Sequence, residues 1–135
     1  MLRIGTIVLG AADVRRAAMF WVQALDYLPR GEVADDWAVL VPADGRPGPG
    51  LSLGRSETPV QEYPRVHLDL YAADQAAEVE RLVALGAARV DWDRYEEGSD
   101  FVVLADTEGN RFCVIDTGGQ RQPPQQPLGS VASSP

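Results

Sequence analysis

The chain has 135 residues, a length that predicts one domain. Its 20 acidic and 12 basic residues give a net charge of −8, which argues against binding to nucleic acid or to an anionic membrane. Every basic residue is arginine, which excludes lysine chemistry, and the single histidine, His67, excludes a two-histidine metal site within one chain. The single cysteine excludes an internal disulfide, and we expect a cytoplasmic protein.

The first half of the chain predicts a strand, a helix and three more strands. Residues 3–9 are rich in β-forming side chains, and Asp13 suits the N-cap of a helix. Residues 14–25 carry apolar side chains three and four positions apart, which is typical of one helical face. Short extended runs separated by turn residues follow at 28–33, 37–41 and 51–53.

The second half repeats this order. Residues 65–71 alternate as a strand, Asp74 suits an N-cap, and a helix is predicted over residues 75–85. Gly86 stands where a helix often ends in a left-handed residue. Further strands are predicted at 89–92, 101–104 and 111–116, with a strong turn signal between the last two.

The two halves therefore predict an α+β fold of two tandem β-α-β-β-β modules, at residues 3–54 and 65–116. Asp13 and Asp74, the two predicted caps, lie 61 positions apart, which indicates a duplicated module. Each module would have a helix on one face of its sheet. The two open faces could then pack on each other or enclose a ligand.

Three stretches of the chain resemble the vicinal oxygen chelate superfamily, and most closely its glyoxalase-like domain subgroup. They are Thr6–Asp13 with the pair Phe20-Trp21, then Arg65–Leu70, and Ala105–Val114. The resemblance implies a curved, barrel-like mixed sheet around a cavity with the helices outside. It places the glyoxalase-like domain in residues 1–116 and omits residues 117–135, which are rich in Gln, Pro, Ser and Gly and predict a flexible tail.

The resemblance also implies where a metal would bind. In metal-dependent members the ligands, usually His or Glu, come from the first and last strands of each module. By position these places are near Thr6, near Leu51–Leu53, at His67 and at Cys113. Only His67 is an ordinary ligand, and Ser52 is the one donor within its stretch. We therefore predict no metal and no cofactor, and the departure counts against glyoxalase I activity.

Alternation along the predicted strand puts His67, Asp69 and Tyr71 on one face, while Val66 on the other face would meet the helix. The resemblance implies that Cys113 lies near His67. His67 is either a general base or single metal ligand tuned by Asp69, or a hydrogen-bonded wall residue. Cys113 is either a thiolate paired with His67 or a small buried hydrophobe. Asp69 requires a partner, either an arginine of another strand or a donor group of a ligand.

Four aromatic side chains, Trp37, Trp92, Tyr95 and Phe101, lie on strands or loops that flank the expected cavity. Aromatic walls suit a flat, mainly apolar ligand, and the alternative is core packing. Residues 91–100 contain five carboxylates and one arginine. This stretch is either solvated surface or a rim that favours a cationic ligand.

The first functional hypothesis is a metal-independent protein that sequesters an aromatic or hydrophobic small molecule, as bleomycin-resistance proteins sequester an antibiotic. Its predicted binding residues are Trp37, His67, Asp69, Tyr71, Trp92, Tyr95, Phe101 and Cys113. The alternative is a lyase or isomerase in which His67 and Asp69 are catalytic, or which holds a divalent metal weakly. A third hypothesis is a partner-binding domain that uses its tail. The protein is expected to be a monomer or homodimer with no nucleic acid or membrane partner.

Overall fold

The computed structural model describes residues 1–118, so the predicted tail lies outside the described residues from position 119 onward. The first half contains β1 (Thr6–Ala11), α1 (Val14–Leu25), β2 (Tyr27–Pro29), β3 (Trp37–Pro42), a 3₁₀ turn (Ala43–Gly45) and β4 (Gly50–Arg55). The second half contains β5 (Asp69–Ala72), α2 (Gln75–Leu85), β6 (Ala88–Arg89), β7 (Phe101–Ala105) and β8 (Arg111–Asp116). Within this part of the chain no helix is long and apolar enough to cross a membrane.

Both helices begin and end at the predicted residues. The Asp13 side chain accepts a hydrogen bond from the backbone N–H of Arg16 at 3.0 Å, and Asp74 accepts one from Ala77 at 3.1 Å. Each carboxylate satisfies a backbone donor that the first helical turn leaves without a partner. Gly86 ends α2 with a φ of 125°, a conformation that favours glycine. Local sequence chemistry therefore determines both helix boundaries.

Each half forms its own four-stranded sheet, with strand orders β1-β4-β3-β2 and β5-β8-β7-β6. The pairs β1/β4 and β5/β8 are parallel and the other pairs are antiparallel. The α+β prediction is confirmed. The expected barrel is open, because no strand pairing among the described residues joins the two sheets. A cavity lined by β1 and by residues 64–68 lies between them.

The duplication is visible in the register of the two sheets. At one level of each sheet, three neighbouring residues are Val8, Ser52 and Val39 in the first and Asp69, Cys113 and Val103 in the second. Asp69 and Cys113 lie 61 positions after Val8 and Ser52, as Asp74 lies 61 after Asp13. The same backbone arrangement therefore presents an acid and a thiol in the second sheet, where the first sheet has a valine and a serine.

Three predicted strands are shorter in the structure. β5 begins at Asp69, which pairs with Cys113, instead of at residue 65. Residues 65 and 66 extend past Arg111, the first residue of β8, and Val66, expected to meet the helix, is 83% exposed. β2 and β6 have three and two residues, respectively.

A single hydrophobic core joins the two modules. The indole of Trp21, on α1, packs against Phe20 and against Phe112 of β8, with ring centroids 5.0 and 5.2 Å apart. Both contacts are edge-on, an arrangement that aromatic pairs favour. Arg81 of α2 adds a polar connection by donating to the carbonyl oxygen of Ala24, near the end of α1, at 2.9 Å.

The turn between β7 and β8 connects the second module to the first through hydrogen bonds. The carboxylate of Asp106 accepts the indole N–H of Trp21 at 3.1 Å and the backbone N–H groups of Glu108 and Asn110, each at 2.9 Å. Asp106 is only 4% exposed, and this burial raises its pKa. One buried carboxylate thus organises the turn and holds the first helix to it.

Glu108 makes a second connection across the modules. Its carboxylate accepts hydrogen bonds from Nε of Arg16 at 2.8 Å and from the backbone N–H of Asp13 at 2.8 Å. Burial by itself would raise the pKa of Glu108, but these hydrogen bonds outweigh it and hold that pKa below its ordinary value. Asn110 adds a hydrogen bond from its side-chain amide to the carbonyl oxygen of Gly10 at 2.7 Å.

We predict that Asp106→Asn lowers the free energy of unfolding by about 1–3 kcal/mol, because the amide turns one acceptor into a donor among buried N–H groups. Urea unfolding at neutral pH measures the change. Asp35→Asn is the matched control, since Asp35 is exposed and forms a surface ion pair with Arg15, and its effect should stay below about 1 kcal/mol. Equal effects of the two substitutions would contradict the assignment.

We also predict a pH dependence carried by Glu108. Because its folded-state pKa is lowered, its stabilising contribution is present above its ordinary pKa of 4.5 and is lost as the pH falls below that value. The stability difference between the wild type and Glu108→Gln should therefore be largest near neutral pH and shrink toward pH 3 (urea unfolding across this range). Glu97→Gln, on an exposed loop, should show no such trend. A constant difference at every pH would refute the prediction.

Candidate functional site

Two cavities lie beside the second sheet. One, of about 450 Å³, lies over the face of β7 and β8 opposite the hydrophobic core and is called here the second-sheet cavity. The other, of about 440 Å³, lies between β1, the segment that joins the modules and the turn before β8, and is called the inter-module cavity. His67 lines both, so its side chain stands at their border.

The wall of the second-sheet cavity contains a cluster of His67, Asp69 and Cys113. Nδ1 of His67 lies 3.0 Å from Oδ1 of Asp69, a hydrogen-bond distance, and both side chains are partly exposed. One possible ligand atom from each of the three residues lies within 4.8 Å of the other two. The sequence prediction that His67 and Cys113 come together is therefore confirmed.

The thiol of Cys113 is protonated at neutral pH. Burial, the nearby charge of Asp69 and a hydrogen bond to that carboxylate raise its pKa to about 11. This argues against the thiolate hypothesis and favours a small buried side chain. Asp69 therefore has His67 and Cys113 as partners, and not an arginine of another strand, as one sequence-based alternative proposed.

The predicted aromatic residues separate into two groups. Trp92 and Phe101 line the second-sheet cavity. Tyr95 supports it from outside the lining: its ring lies 5.3 Å from that of Phe101, and its hydroxyl accepts the backbone N–H of Val103 at 2.8 Å. Nε1 of Trp92 is shielded from solvent and has no hydrogen-bond acceptor among the described residues. Such a donor typically costs about 1–3 kcal/mol.

Two predicted binding residues lie away from the two cavities described above. Trp37 is exposed on β3, where its ring covers Gly54 of the neighbouring strand, and Tyr71 is exposed on β5. Neither belongs to the lining of either cavity. Trp37 stands in the first sheet at the position that Phe101 occupies in the second, opposite Gly54 and Ile115 respectively.

The lining also contains residues that were not among the predicted site residues, including Tyr63, Arg94 and Arg111. The sequence pattern did indicate Arg111, because it lies two positions before Cys113 and therefore on the same face of β8. Tyr63 belongs to the segment between the modules and Arg94 to the loop before β7. No periodic pattern covers those segments, and only the tertiary fold brings the two residues together.

The first sheet has no equivalent cluster. Register places Val8 and Ser52 at the positions of Asp69 and Cys113. The same offset of 61 positions places Thr6 at that of His67. Ser52 is buried. The positions that the family resemblance implied for metal ligands in this module therefore carry two hydroxyl groups and no imidazole, thiol or carboxylate.

A family model described as "Glyoxalase-like domain" matches residues 6–115, which covers both sheets and both helices. The chain belongs to the glyoxalase-like domain family. The match includes the whole His67, Asp69 and Cys113 cluster. A comparison with curated proteins gives no match.

Solved structures support the fold of this glyoxalase-like domain. The fosfomycin resistance protein FosX from Listeria monocytogenes is 15% identical with a TM-score of 0.66, and the alignment covers 86% of this chain and 91% of that one. A possible glyoxalase from Bacillus cereus is 18% identical with a TM-score of 0.63, over 85% and 99% of the two chains. A glyoxalase/bleomycin resistance protein/dioxygenase family enzyme from Burkholderia phytofirmans is 13% identical with a TM-score of 0.63, over 85% and 98%.

The donor atoms of the His67, Asp69 and Cys113 cluster can be compared with the ligands that a divalent metal requires. Imidazole, carboxylate and thiolate are all zinc ligands, and three protein ligands suffice for an open, catalytic type of site. His67, Asp69 and Cys113 meet this requirement in number and spacing. Without a metal, the Asp69 carboxylate lies 3.0 Å from Nδ1 of His67 and is hydrogen-bonded to the Cys113 thiol. A metal would therefore have to displace the Cys113 proton and compete with these contacts.

We predict that the Cys113 thiol reacts slowly with iodoacetamide. A pKa of about 11 against an ordinary 9.0 leaves about a hundredfold less thiolate at pH 8, partly offset by higher intrinsic nucleophilicity, so the native rate should be at least about tenfold below that of the urea-unfolded chain. Asp69→Asn should accelerate the reaction because it removes a charge that raises the pKa. Asp100→Asn, on the same cavity, should not. A native rate equal to the unfolded rate would overturn this account.

Proposed function

We propose that this glyoxalase-like protein binds a small, flat aromatic or hydrophobic molecule in the second-sheet cavity and does so without a metal. The observation that carries the proposal is a cavity of about 450 Å³ with Trp92 and Phe101 in its lining. A volume in this range is typical of small-molecule sites, and aromatic walls favour planar ligands.

The polar residues of the lining support binding in a defined orientation. His67 and Asp69 form a pair of 3.0 Å that leaves Nε2 of the imidazole available to a ligand. Cys113 adds a protonated thiol next to them. A few polar groups in a mainly apolar cavity are what orient a ligand and give selectivity.

The names of two structural relatives refer to antibiotics. One relative is named a fosfomycin resistance protein and another a glyoxalase/bleomycin resistance protein/dioxygenase family enzyme. We therefore include antibiotics among the candidate ligands. We propose, as inferred from the sequence, that the protein acts in the cytoplasm, as a monomer or as a homodimer.

A second candidate is a lyase or isomerase, which the close contact between His67 and Asp69 favours. The Asp69 carboxylate lies 3.0 Å from Nδ1 of the imidazole and favours a proton on that nitrogen, so that the lone pair of Nε2 can take a proton from a C–H or O–H group of the ligand. The resulting imidazolium can return that proton to another atom of the same molecule. A divalent metal held by His67, Asp69 and Cys113 would supply Lewis-acid polarisation of a bound oxygen.

The two candidates differ in one observation. In D₂O, proton removal by His67 would introduce deuterium into a bound ligand, and His67→Ala would abolish this exchange. Binding without any exchange or turnover would favour sequestration.

We predict that Val103→Phe abolishes ligand binding. Val103 is buried in the floor of the second-sheet cavity, and a phenyl ring would fill the space that a ligand requires. Saturation-transfer NMR with a panel of flat aromatic compounds and antibiotics measures the effect, with an expected loss of at least about tenfold in affinity.

The matched control is Val39→Phe, because Val39 occupies the equivalent register position in the first sheet and lines neither cavity. It should retain the wild-type affinity. Circular dichroism and thermal unfolding establish that both variants fold. Retained binding in a folded Val103→Phe variant, or no binding of any compound to the wild type, would refute the proposal.

A further inference from the structure

Four side chains of the second-sheet cavity form a row in which two aromatic rings lie between two guanidinium groups. The guanidinium carbon of Arg94 lies 3.8 Å from the ring centroid of Tyr63, whose ring lies 5.2 Å from that of Trp92. The guanidinium carbon of Arg111 lies 5.9 Å from the Trp92 ring. All four residues belong to the cavity lining. We call them the cation–aromatic stack.

Neither arginine of the stack has an acidic partner. Among residues 1–118, five arginines form ion pairs with carboxylates, and Arg94 and Arg111 are not among them. Arg111 donates one hydrogen bond, to the carbonyl oxygen of Glu62 at 2.5 Å. Each guanidinium has five N–H groups, and a ring face engages the plane and not the edge. Both side chains therefore keep donors for a ligand.

The acidic groups near the cavity do not form ion pairs with Arg94 or Arg111 in the described part of the chain. Asp69 lies 3.0 Å from Nδ1 of His67 and is the hydrogen-bond acceptor of the Cys113 thiol. Of the five carboxylates in residues 91–100, only Asp100 lines the cavity, and it forms no ion pair within this part of the chain. Asp93 accepts the hydroxyl hydrogen of Tyr63 at 2.8 Å. In a chain with a net charge of −8, the two guanidinium groups balance the two carboxylates of the cavity lining, Asp69 and Asp100, so this surface is less negative than the chain as a whole.

We propose that the ligand of the second-sheet cavity is an aromatic anion, whose carboxylate or similar planar acidic group pairs with a guanidinium of the stack, Arg94 at one end or Arg111 at the other. This inference rests on the proposed function and narrows its ligand class. Guanidinium groups bind carboxylates through paired, charge-assisted hydrogen bonds. The rings of Trp92 and Phe101 contact the flat body of the ligand, and the acidic group lies at the stack.

The test compares two probes that differ only in charge, 2-naphthoate and 2-naphthamide, by isothermal titration calorimetry. The wild type should bind the acid about tenfold more tightly than the amide, and the preference should decline as salt rises from 50 to 500 mM. At least one of Arg94→Gln and Arg111→Gln should reduce the affinity for the acid about five- to tenfold while leaving that for the amide within about twofold.

Two further variants serve as controls. Arg111→Lys keeps the charge and should retain part of the preference for the acid. Arg30→Gln, at an exposed arginine that lines neither cavity, should change nothing. Thermal unfolding establishes that each variant is folded.

The outcomes separate this inference from the proposed function. Equal affinity for the acid and the amide, both lost in Val103→Phe, would overturn the anion inference and leave the proposed function standing. Binding of neither probe would contradict both. A preference for the acid that both glutamine variants retain would overturn the assignment to Arg94 and Arg111.

Discussion

The buried hydrogen bond between Asp106 and Trp21 is the constraint on which the arrangement of the two modules depends. A carboxylate that is almost completely shielded from water is unfavourable unless donors surround it, and the turn before β8 supplies them. Trp21 adds the donor from the other module and packs its indole against Phe112. Because β8 begins directly after this turn, the same contact positions the strand that carries Arg111 and Cys113.

The duplicated backbone carries different chemistry in its two copies. Equivalent register positions hold Val8 and Ser52 in the first sheet and Asp69 and Cys113 in the second. The first copy thus supplies the helix that bears Trp21, while the second supplies the cavity with its polar cluster and arginines. This division explains how a chain with one histidine can place all its candidate polar chemistry on one sheet.

Local chemistry explains what the sequence could predict. The helices were predicted to the residue, because Asp13 and Asp74 are caps that act within one turn and the apolar spacing is regular. The start of β5 was wrong because a strand ends where its partner ends, and that partner lies more than 40 positions away. The sequence also could not predict that the barrel is open, because no local pattern indicates whether the edges of two sheets pair.

The residues of the candidate site likewise include some that the sequence could predict and some that it could not. Alternation along strands and the family resemblance together identified His67, Asp69 and Cys113 as neighbours. The cation–aromatic stack could not be predicted, because Tyr63 and its partner Asp93 lie 30 positions apart in irregular segments. Pairing of that kind depends on how the segment between the modules returns over the second sheet.

The central claim, a metal-independent ligand site on the second sheet, is tested most directly by mapping a bound ligand in metal-free protein. We would treat the full chain with EDTA, verify metal removal by mass spectrometry, and titrate 2-naphthoate while recording ¹H–¹⁵N correlation spectra. The account predicts saturable shifts centred on the amides of Phe101, Val103 and Cys113, unchanged when zinc is added. Shifts that require zinc, or that centre on β1 and the inter-module cavity, would contradict it.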